Sequence, residues 1–298
     1  MGAHSLRELC LADGIFSQRY EGWTVLGSGT YATVVRARSR DAGRDVALKI
    51  FRGLSPDLVE RVREEVHATQ SLATPYLVQV YSVFDRGPIT WFEMELVDGP
   101  NLDQELHGAP GPNRRFPVAR AIKVSLAVSR CLWHAHRRGV LHRDVKPANV
   151  LLPRSATPAA KLADFGIARV GSGSGATPTG SITGTPRFAS PEALLGGDVG
   201  RPHDVFGLCA TLYILFGGGR HPFAVASDVT LEQLIDVLRA TRPIALRSLG
   251  HRMDEELSEL LVRGLAFDPE ARPEVGTIVL ALEHAQRLIA MEERSSVS

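Results

Sequence analysis

The N-terminal part of the chain alternates short apolar runs with glycine-containing turns, which is typical of antiparallel strands. β-Branched and aromatic residues are frequent in residues 23–27, 31–38 and 46–51, and such residues favour a pleated, half-buried surface. Two further runs of this type cover residues 77–83 and 89–95. The pattern therefore predicts a strand-rich region with five strands.

One helix interrupts these predicted strands. Ser55 and Pro56 form a start signal, because serine caps helices well and proline suits the first helical position. Side chains that can face a core then recur every three or four positions, at Leu58, Val62, Val66 and Thr69. This spacing predicts a helix with one buried face.

Beyond Asp98 the apolar spacing changes to that of helices. Residues 121–135 carry an apolar stripe at helical spacing, and similar signals cover residues 257–265 and 273–291. The almost unbroken apolar run 205–216 predicts a buried helix, which the three glycines after it would end. Surface loops are predicted where Gly, Pro and small polar residues accumulate, at residues 108–117, 153–160 and 171–184.

Charge and composition narrow the possible classes of protein. The net charge of +1 gives no reason to propose nucleic acid as a partner. The apolar run 205–216 is shorter than the about 20 residues that span a bilayer, and the N-terminus does not resemble a signal peptide. The widely spaced Cys10, Cys131 and Cys209 predict reduced, buried thiols and no metal site. We therefore expect a soluble, cytoplasmic protein without a membrane segment, and the sequence does not indicate its oligomeric state.

Two short motifs carry most of the chemical information. Residues 142–149 read His-Arg-Asp-Val-Lys-Pro-Ala-Asn, and Asp-Phe-Gly begins at Asp164. They supply a carboxylate that can accept a hydroxyl proton, Asp144, and an ammonium group that can meet a phosphoryl group, Lys146. Asn149 and Asp164 offer the oxygen ligands that Mg²⁺ prefers. Together the motifs resemble those of eukaryotic-type protein kinases, and Lys146 resembles the Ser/Thr branch.

The resemblance to the eukaryotic-type (Hanks-type) serine/threonine protein kinase family covers about residues 20–290 and is greatest with bacterial members. It implies an α+β, protein-kinase-like two-lobed fold. A small antiparallel β-sheet N-lobe with one key helix would span residues 20–97, and a larger, mostly helical C-lobe residues 98–290. Residues 1–19 would form an N-terminal extension of unknown role, and residues 291–298 a short tail. The order of strand-rich and helical regions agrees with this fold.

The resemblance also implies catalytic roles. Asp144 would orient and deprotonate the acceptor hydroxyl, Lys146 would stabilise the transferring phosphoryl group, and Asn149 and Asp164 would hold Mg²⁺. The expected cofactors are therefore ATP and Mg²⁺.

Lys49, in the run Val-Ala-Leu-Lys, would contact the α- and β-phosphates of ATP. A strand-end lysine that extends into water is the structural alternative. Glu64 and Glu65 are both candidate partners, and the alignment of the helix end selects Glu65, which also lies beside the apolar stripe.

A nucleotide site is implied by two further segments. Residues 27–34 read Gly-Ser-Gly-Thr-Tyr-Ala-Thr-Val, and such glycines let backbone N–H groups approach phosphate; a hairpin with glycines in its turn is the alternative. Ala32 stands where the family has a third glycine. Residues 94–99 resemble the segment that binds adenine through backbone groups. The implied ATP-contacting residues are Leu26, Gly27, Gly29, Val34, Ala47, Lys49, Met94, Glu95 and Val97.

The segment after Asp-Phe-Gly implies a Ser/Thr acceptor and regulation. Thr185 resembles the threonine that touches the catalytic aspartate in Ser/Thr kinases. Arg143 and Arg169 resemble arginines that bind a phosphorylated activation loop, since guanidinium groups hold phosphate through paired hydrogen bonds. We expect autophosphorylation at Thr177 or Thr179; a flexible loop without a switch is the alternative.

Other motif residues are expected to be structural. Glu192, in Ser-Pro-Glu where Ala-Pro-Glu is usual, would pair with Arg272. Asp204 would brace the backbone of the catalytic loop. His142 is expected to be packed and not a proton carrier, and Cys209, which replaces a usual glycine, to affect packing only.

The resemblance implies an enzyme that transfers the γ-phosphoryl group of Mg²⁺-bound ATP to Ser or Thr of protein substrates. Two alternatives stay open. A pseudokinase scaffold would normally lack one of Lys49, Asp144 and Asp164. A small-molecule kinase would not be expected to carry the Ser-Pro-Glu motif and its partner Arg272. The sequence indicates neither the physiological substrate nor the upstream signal.

Overall fold

The computed structural model describes most of the chain. The described residues are 6, 8, 10, 12–29, 32–107, 116–155, 157–165, 186–223, 229–243, 246 and 255–295, without the side chains of Glu65 and Pro186. They belong to two compact units. The first comprises the chain up to Ala73 together with Val78–Asp98. The second comprises Thr74–Leu77, Gly99–Phe165 and the described residues that follow.

The first unit is built around an antiparallel sheet with the strand order β1-β2-β3-β5-β4. The strands are β1 Tyr20–Ser28, β2 Ala32–Ser39, β3 Arg44–Arg52, β4 Val80–Asp85 and β5 Ile89–Glu95. All five predicted strands are confirmed. Strand β4 begins at Val80 and not at residue 77, because Leu77 forms a parallel bridge with Leu162 instead.

A segment that precedes the sheet contributes to its core. Helix α1, Gly14–Arg19, is capped at its N-terminus by Asp13, whose side chain accepts the N–H of Phe16 at 2.7 Å. The Phe16 ring lies edge-on to the Trp91 ring of β5, with 5.2 Å between the centroids. Leu6 and Cys10 are buried in the same cluster. Leu6, Cys10 and Phe16, from a segment with no recognisable motif, therefore cover one face of the sheet.

A polar contact is enclosed in this cluster. The Tyr20 hydroxyl donates to Glu93 Oε2 at 2.6 Å and accepts the Trp91 indole N–H at 3.2 Å. Burial and the neighbouring Glu93 carboxylate raise the pKa of the Tyr20 hydroxyl, so that it stays a donor. The hydrogen bond gives the buried Glu93 carboxylate the partner that it needs away from water.

Helix α2, Pro56–Gln70, follows β3 as predicted and packs against β4. Its Val62 and Val66 share a buried cluster with Phe51 and Phe92. Adjacent strand residues face opposite sides of a sheet, so this cluster lies on the face opposite α1. Ser55 stands at the predicted N-cap position, but its side chain makes no capping hydrogen bond. The capping role predicted for Ser55 is therefore wrong.

The second unit is mostly helical. Its helices are α3 Leu102–His107, α4 Val118–Arg137, α5 Pro191–Leu194, α6 Arg201–Phe216, α7 Leu231–Ala240, α8 Glu255–Arg263 and α9 Val275–Ser295. Helix α4 packs against α6 and α9. The predicted helices are confirmed, and α6 is buried along nearly its whole length. None of the helices in the described part of the chain combines the length and apolarity needed to cross a membrane.

Helices α6 and α8 pack so closely that one position must be glycine. A Cβ atom added to Gly264, directly after α8, would lie 2.1 Å from Cys209 Sγ and 3.0 Å from its Cβ. The thiol of Cys209 thus occupies the space that any larger residue at position 264 would need. Burial raises the pKa of this thiol to about 12, so it packs as a neutral group.

Candidate functional site

Three of the predicted catalytic groups meet in the loop that follows α4. Lys146 Nζ lies 2.8 Å from Asp144 Oδ2. The Asn149 amide nitrogen donates to the same carboxylate oxygen at 2.9 Å and to the Asp144 carbonyl at 2.8 Å. The side chains of Asp144 and Lys146 are 32% and 35% exposed. A substrate hydroxyl can therefore reach a carboxylate that is held by two donors and can still accept a proton.

A short hairpin brings Asp164 next to this group. Strand β6, Val150–Leu151, pairs with β7, Lys161–Leu162, and the Ala163 N–H donates to the Asn149 carbonyl at 2.8 Å. Both hydrogen bonds of the Asn149 side chain use its amide nitrogen. The amide oxygen of Asn149 and the carboxylate of Asp164 are hard oxygen donors, which fit the few protein ligands that Mg²⁺ takes.

His142 is a packed residue, as predicted. Its ring is fully buried and lies 4.4 Å from the Phe165 ring, centroid to centroid. The Nε2 atom lies 2.8 Å from the Ala163 carbonyl, and Nδ1 accepts the Asp144 N–H at 3.1 Å. A carbonyl can only accept, so Nε2 carries the proton of a neutral ring. Burial lowers the pKa of His142 more than the nearby Asp204 and Asp144 raise it.

Asp204, at the start of α6, holds the backbone of the catalytic loop, as predicted. Its carboxylate accepts the N–H groups of His142 at 2.8 Å and Arg143 at 2.6 Å, and contacts His136 Nε2 at 2.8 Å. Burial alone would raise the pKa of Asp204, but the His136 hydrogen bond and the neighbouring histidines hold it below its ordinary value. An ionised carboxylate therefore fixes the residues immediately before Asp144.

We expect the free energy of unfolding to fall between about pH 7.5 and about pH 5.5. Burial lowers the pKa of His142 and His221 in the folded protein, whereas an unfolded histidine titrates at about 6.5. The unfolded chain takes up protons first, so stability is lost as the pH falls through that value. The lowered pKa of Asp204 acts in the same direction at lower pH, since its contribution to stability is lost only as the pH falls below about 3.9.

Urea unfolding at the two pH values measures this loss. The His142→Asn variant has no group that titrates at this position, and it should lose less stability over the same interval. An equal loss in both proteins would contradict the assignment to His142.

A buried ion pair anchors the Ser-Pro-Glu motif, as predicted. Arg272 donates to both carboxylate oxygens of Glu192, each at 2.8 Å, and also to the Ala266, Pro202 and Phe267 carbonyls. The Arg272 side chain is fully buried. Burial would raise the pKa of Glu192, but the Arg272 hydrogen bonds lower it below its ordinary value. Glu192 is therefore ionised and is held in place in the first turn of α5.

Replacing Arg272 by methionine is expected to lower the free energy of unfolding by about 3–5 kcal/mol, because it leaves a partly buried carboxylate without its partner. Urea unfolding of this variant, of Glu192→Gln and of the double variant gives the coupling energy. The double variant should be clearly more stable than the sum of the two single losses predicts. Strict additivity would show that the two side chains do not interact.

The first unit gathers a second set of predicted residues on one face of its sheet. Val34 is the cross-strand partner of Lys49, and Ala47 is the partner of Met94. Ala47 and Lys49 lie two positions apart in β3, so all four share a face. Lys49 Nζ lies 5.8 Å from the centroid of the Phe51 ring, on the face where α2 packs. The Glu65 backbone lies in α2, but its side chain is outside the described part, so the predicted pair with Lys49 remains a prediction.

The structure describes two glycines of the predicted phosphate-binding loop. Neither Gly27 nor Gly29 has a left-handed backbone; among the described residues, a Cβ at Gly27 would meet no atom within 4 Å, and a Cβ at Gly29 would come no closer than 3.7 Å to the Ala32 carbonyl. The preceding Leu26 side chain is exposed. Thr30 and Tyr31 lie outside the described residues, so the phosphate contact of this loop remains a prediction.

The predicted adenine-binding segment has one backbone group already engaged. The Glu95 N–H donates to the Gln79 carbonyl at 2.8 Å, which excludes this N–H as an adenine contact. Met94 is 7% exposed at the end of β5. Of the backbone groups predicted to bind adenine, the Glu95 carbonyl and those of Val97 therefore remain candidates.

Several predicted regulatory residues lie outside the described part of the chain. These are Arg169, Thr177, Thr179 and Thr185, and their roles remain predictions. Arg143 is described, and its backbone is left-handed with φ 65°. Sequence reasoning missed His136, whose only signal is its place beside the buried stripe of α4.

The sequence was compared with known families and curated proteins. The model of the protein kinase domain matches residues 20–285. Serine/threonine-protein kinase PknB of Mycobacterium tuberculosis is 35% identical over 270 residues, which cover 86% of this chain and 41% of that protein. A probable serine/threonine-protein kinase of Streptomyces coelicolor, SCO3848, is 33% identical over 268 residues, 85% of this chain and 38% of that protein. The chain spans about two fifths of the length of these relatives.

Solved structures of similar fold include two crystal structures of the kinase domain of PknI from Mycobacterium tuberculosis, both of mutants. One has a TM-score of 0.65 at 26% identity and covers 89% of this chain and 96% of that chain. The other has a TM-score of 0.68 at 25% identity and covers 90% and 96%. The antiparallel sheet and the helical second unit follow the architecture of these domains.

Proposed function

Because the chain belongs to the protein kinase family, we propose that it is a serine/threonine protein kinase, which transfers the γ-phosphoryl group of Mg²⁺-bound ATP to Ser or Thr hydroxyls of proteins. The observation that carries the proposal is the contact of Asp144 with both Lys146 and Asn149. The names of the relatives PknB and SCO3848 as serine/threonine-protein kinases support the choice of acceptor.

In this proposal the residues of the second unit perform the transfer step. Asp144 orients the acceptor hydroxyl and accepts its proton, and Lys146 moves from Asp144 to the transferring phosphoryl group as negative charge develops there. The Asn149 amide oxygen and the Asp164 carboxylate hold Mg²⁺, which neutralises phosphate charge when it is bound. Positioning and charge neutralisation supply most of the rate enhancement, so a weakly basic carboxylate is sufficient.

In the first unit, the proposal assigns ATP recognition to backbone groups and one cation. Lys49 contacts the α- and β-phosphates and pairs with Glu65, and the backbone of Gly27 and Gly29 covers the phosphates. The apolar side chains of the shared face and its edge pack against adenine, whose edge bonds to the Glu95 carbonyl and to Val97. These side chains are those of Leu26, Val34, Ala47 and Met94.

Autophosphorylation of Thr177 or Thr179 is part of the proposal, because Arg143 and Arg169 can bind the phosphate. The purified active protein should carry phosphate on one of these threonines, as read by mass spectrometry of the intact protein and its peptides. Active protein with no phosphate on this segment would contradict the assignment.

The test of the proposed function is transfer of γ-labelled phosphate to a generic protein, followed by analysis of the labelled amino acids. Phosphoserine or phosphothreonine is expected, with no transfer when EDTA removes Mg²⁺. Nucleotide binding without transfer to any protein would favour the scaffold alternative. Transfer to an aminoglycoside but to no protein would favour a small-molecule kinase.

A further inference from the structure

The first turn of α6 contacts both backbone polar groups of one residue of the catalytic loop, Arg143. Asp204 accepts the N–H of Arg143 at 2.6 Å, and His203 Nε2 lies 3.2 Å from the Arg143 carbonyl. Arg143 has φ 65°, a left-handed conformation that residues with a Cβ seldom adopt. Two consecutive side chains of one buried helix therefore hold both polar groups of a strained residue, and the next residue along the chain is Asp144.

The same histidine reaches the end of the segment that follows Asp-Phe-Gly. Ser190 Oγ lies 2.7 Å from His203 Nδ1, and the two residues are 0% and 8% exposed. The Arg143 carbonyl can only accept, so His203 Nε2 must carry a proton. In the neutral ring Nδ1 then accepts, and the Ser190 hydroxyl donates. The Ser190 hydroxyl also interacts with the Glu192 carboxylate, which is a second acceptor for its proton. If the hydroxyl donated to Glu192, His203 Nδ1 would have to carry a proton as well, so the protonation of the His203 ring distinguishes the two arrangements.

We propose that His203 is a positioning residue for phosphoryl transfer, linking Ser190 of the Ser-Pro-Glu motif to the Arg143 carbonyl and so setting the placement of Asp144. The inference rests on the proposed function for its catalytic readout. It assigns a role to a residue that belongs to none of the sequence motifs. It also gives the Ser190 hydroxyl a function that the usual alanine at this position could not perform.

The link acts on the transfer step because of its position. A partly buried carbonyl that loses its donor is expected to turn towards another donor, and this rotates the peptide group between Arg143 and Asp144. This rotation moves the Asp144 carboxylate relative to Lys146 and Asn149, and small displacements of a reacting group are costly for rate. The nucleotide contacts assigned above lie on other residues. Loss of the link should therefore lower kcat and leave the KM for ATP unchanged.

Four variants separate this role from simple packing. His203→Leu removes the contacts with Ser190 and with the Arg143 carbonyl, and it introduces an apolar side chain of similar length. His203→Gln keeps an N–H that can donate to the Arg143 carbonyl. Ser190→Ala removes the partner of Nδ1, together with the contact of the hydroxyl with Glu192. Ser258→Ala is the matched control, since its hydroxyl is equally buried in α8 and has no hydrogen-bond partner among the described residues.

The expected result is a fall in kcat of about tenfold for His203→Leu and about threefold for Ser190→Ala, with wild-type values for Ser258→Ala. His203→Gln should recover most of the loss. Equal kcat values for folded His203→Leu and wild type would overturn the proposal, as would identical losses in the Leu and Gln variants. If His203→Leu does not fold, the comparison of kcat between Ser190→Ala and its control Ser258→Ala tests the proposal. Equal kcat values in these two variants would reject the link.

Imidazole nitrogen NMR of the whole chain provides a readout that does not depend on activity. The His203 signals, identified by their loss in His203→Gln, should show a neutral ring with the proton on Nε2 when measured at about pH 8. Ser190→Ala should shift Nδ1 more than Nε2. A proton on Nδ1 alone would exclude the link even in an active enzyme. An inactive wild type with the expected signals would instead reject the proposed function and leave the link standing.

Discussion

Replacing Asp144 by asparagine is expected to lower the rate of phosphoryl transfer by about 10²- to 10⁴-fold. The amide has nearly the shape of the carboxylate, but it cannot accept the proton of an acceptor hydroxyl. It also presents an NH₂ group to Lys146 and Asn149, which both donate to the carboxylate in the structure. Steady-state transfer of labelled phosphate to a Ser/Thr peptide measures the change, and the affinity for a fluorescent ATP analogue should stay within a fewfold of wild type.

The matched control for this substitution is Asp103→Asn, which makes the same chemical change on the exposed surface of α3. It should transfer phosphate at the wild-type rate. If Asp144→Asn keeps more than a tenth of the wild-type rate, Asp144 is not the group that accepts the proton. The nucleotide-binding measurement distinguishes this outcome from a variant that has lost its fold.

Deleting residues 1–19 is expected to lower the free energy of unfolding by about 4–8 kcal/mol, a large part of the total stability of an ordinary domain. Leu6, Cys10 and Phe16 are each no more than 2% exposed, and their loss uncovers the Trp91 face of the sheet. It also leaves Tyr20 and Glu93 in contact with water at a newly opened surface. Urea unfolding of the shortened and full chains gives the difference.

A second truncation provides the control for this deletion. Residues 292–295 at the end of α9 are exposed, so removing residues 292–298 should leave the stability nearly unchanged. Phe16→Ala is the milder test of the same face and should cost about 3–5 kcal/mol. A chain that starts at Tyr20 and is as stable as the full chain would show that the N-terminal segment is dispensable.

The sequence was most informative where the chemistry is local. Asp144, Lys146 and Asn149 lie within six positions of one another, so a short motif is enough to predict their meeting. Alternation and helical spacing likewise predicted the strands and the long helices, since burial on one face depends on neighbours that are near in the chain. Asp164 was predicted from its Asp-Phe-Gly motif alone; a two-strand hairpin, which was not predicted, returns it towards Asn149, and its role as a metal ligand remains a prediction.

Contacts between distant segments were harder to predict. Nothing near Phe16 indicates that it packs on Trp91, and nothing near His203 indicates Ser190 and Arg143 as its partners. The predicted adenine-binding segment, residues 94–99, shows the same limit, since the Glu95 N–H donates to the carbonyl of Gln79, directly before β4. Helix α7 was missed although its Thr230 and Gln233 form a reciprocal cap. Leu231, Leu234 and Leu238 also recur at helical spacing after this cap, so both signals were present in the sequence and were not used.

The close approach of Cys209 to Gly264 has a consequence for how this sequence can change. A methyl group at position 264 is tolerated only if the thiol at position 209 is first removed, so the two positions must mutate in a fixed order. Gly264→Ala should be harmful in this background and harmless once Cys209→Gly is present. Close homologues should therefore vary at these two sites together, as a compensated pair.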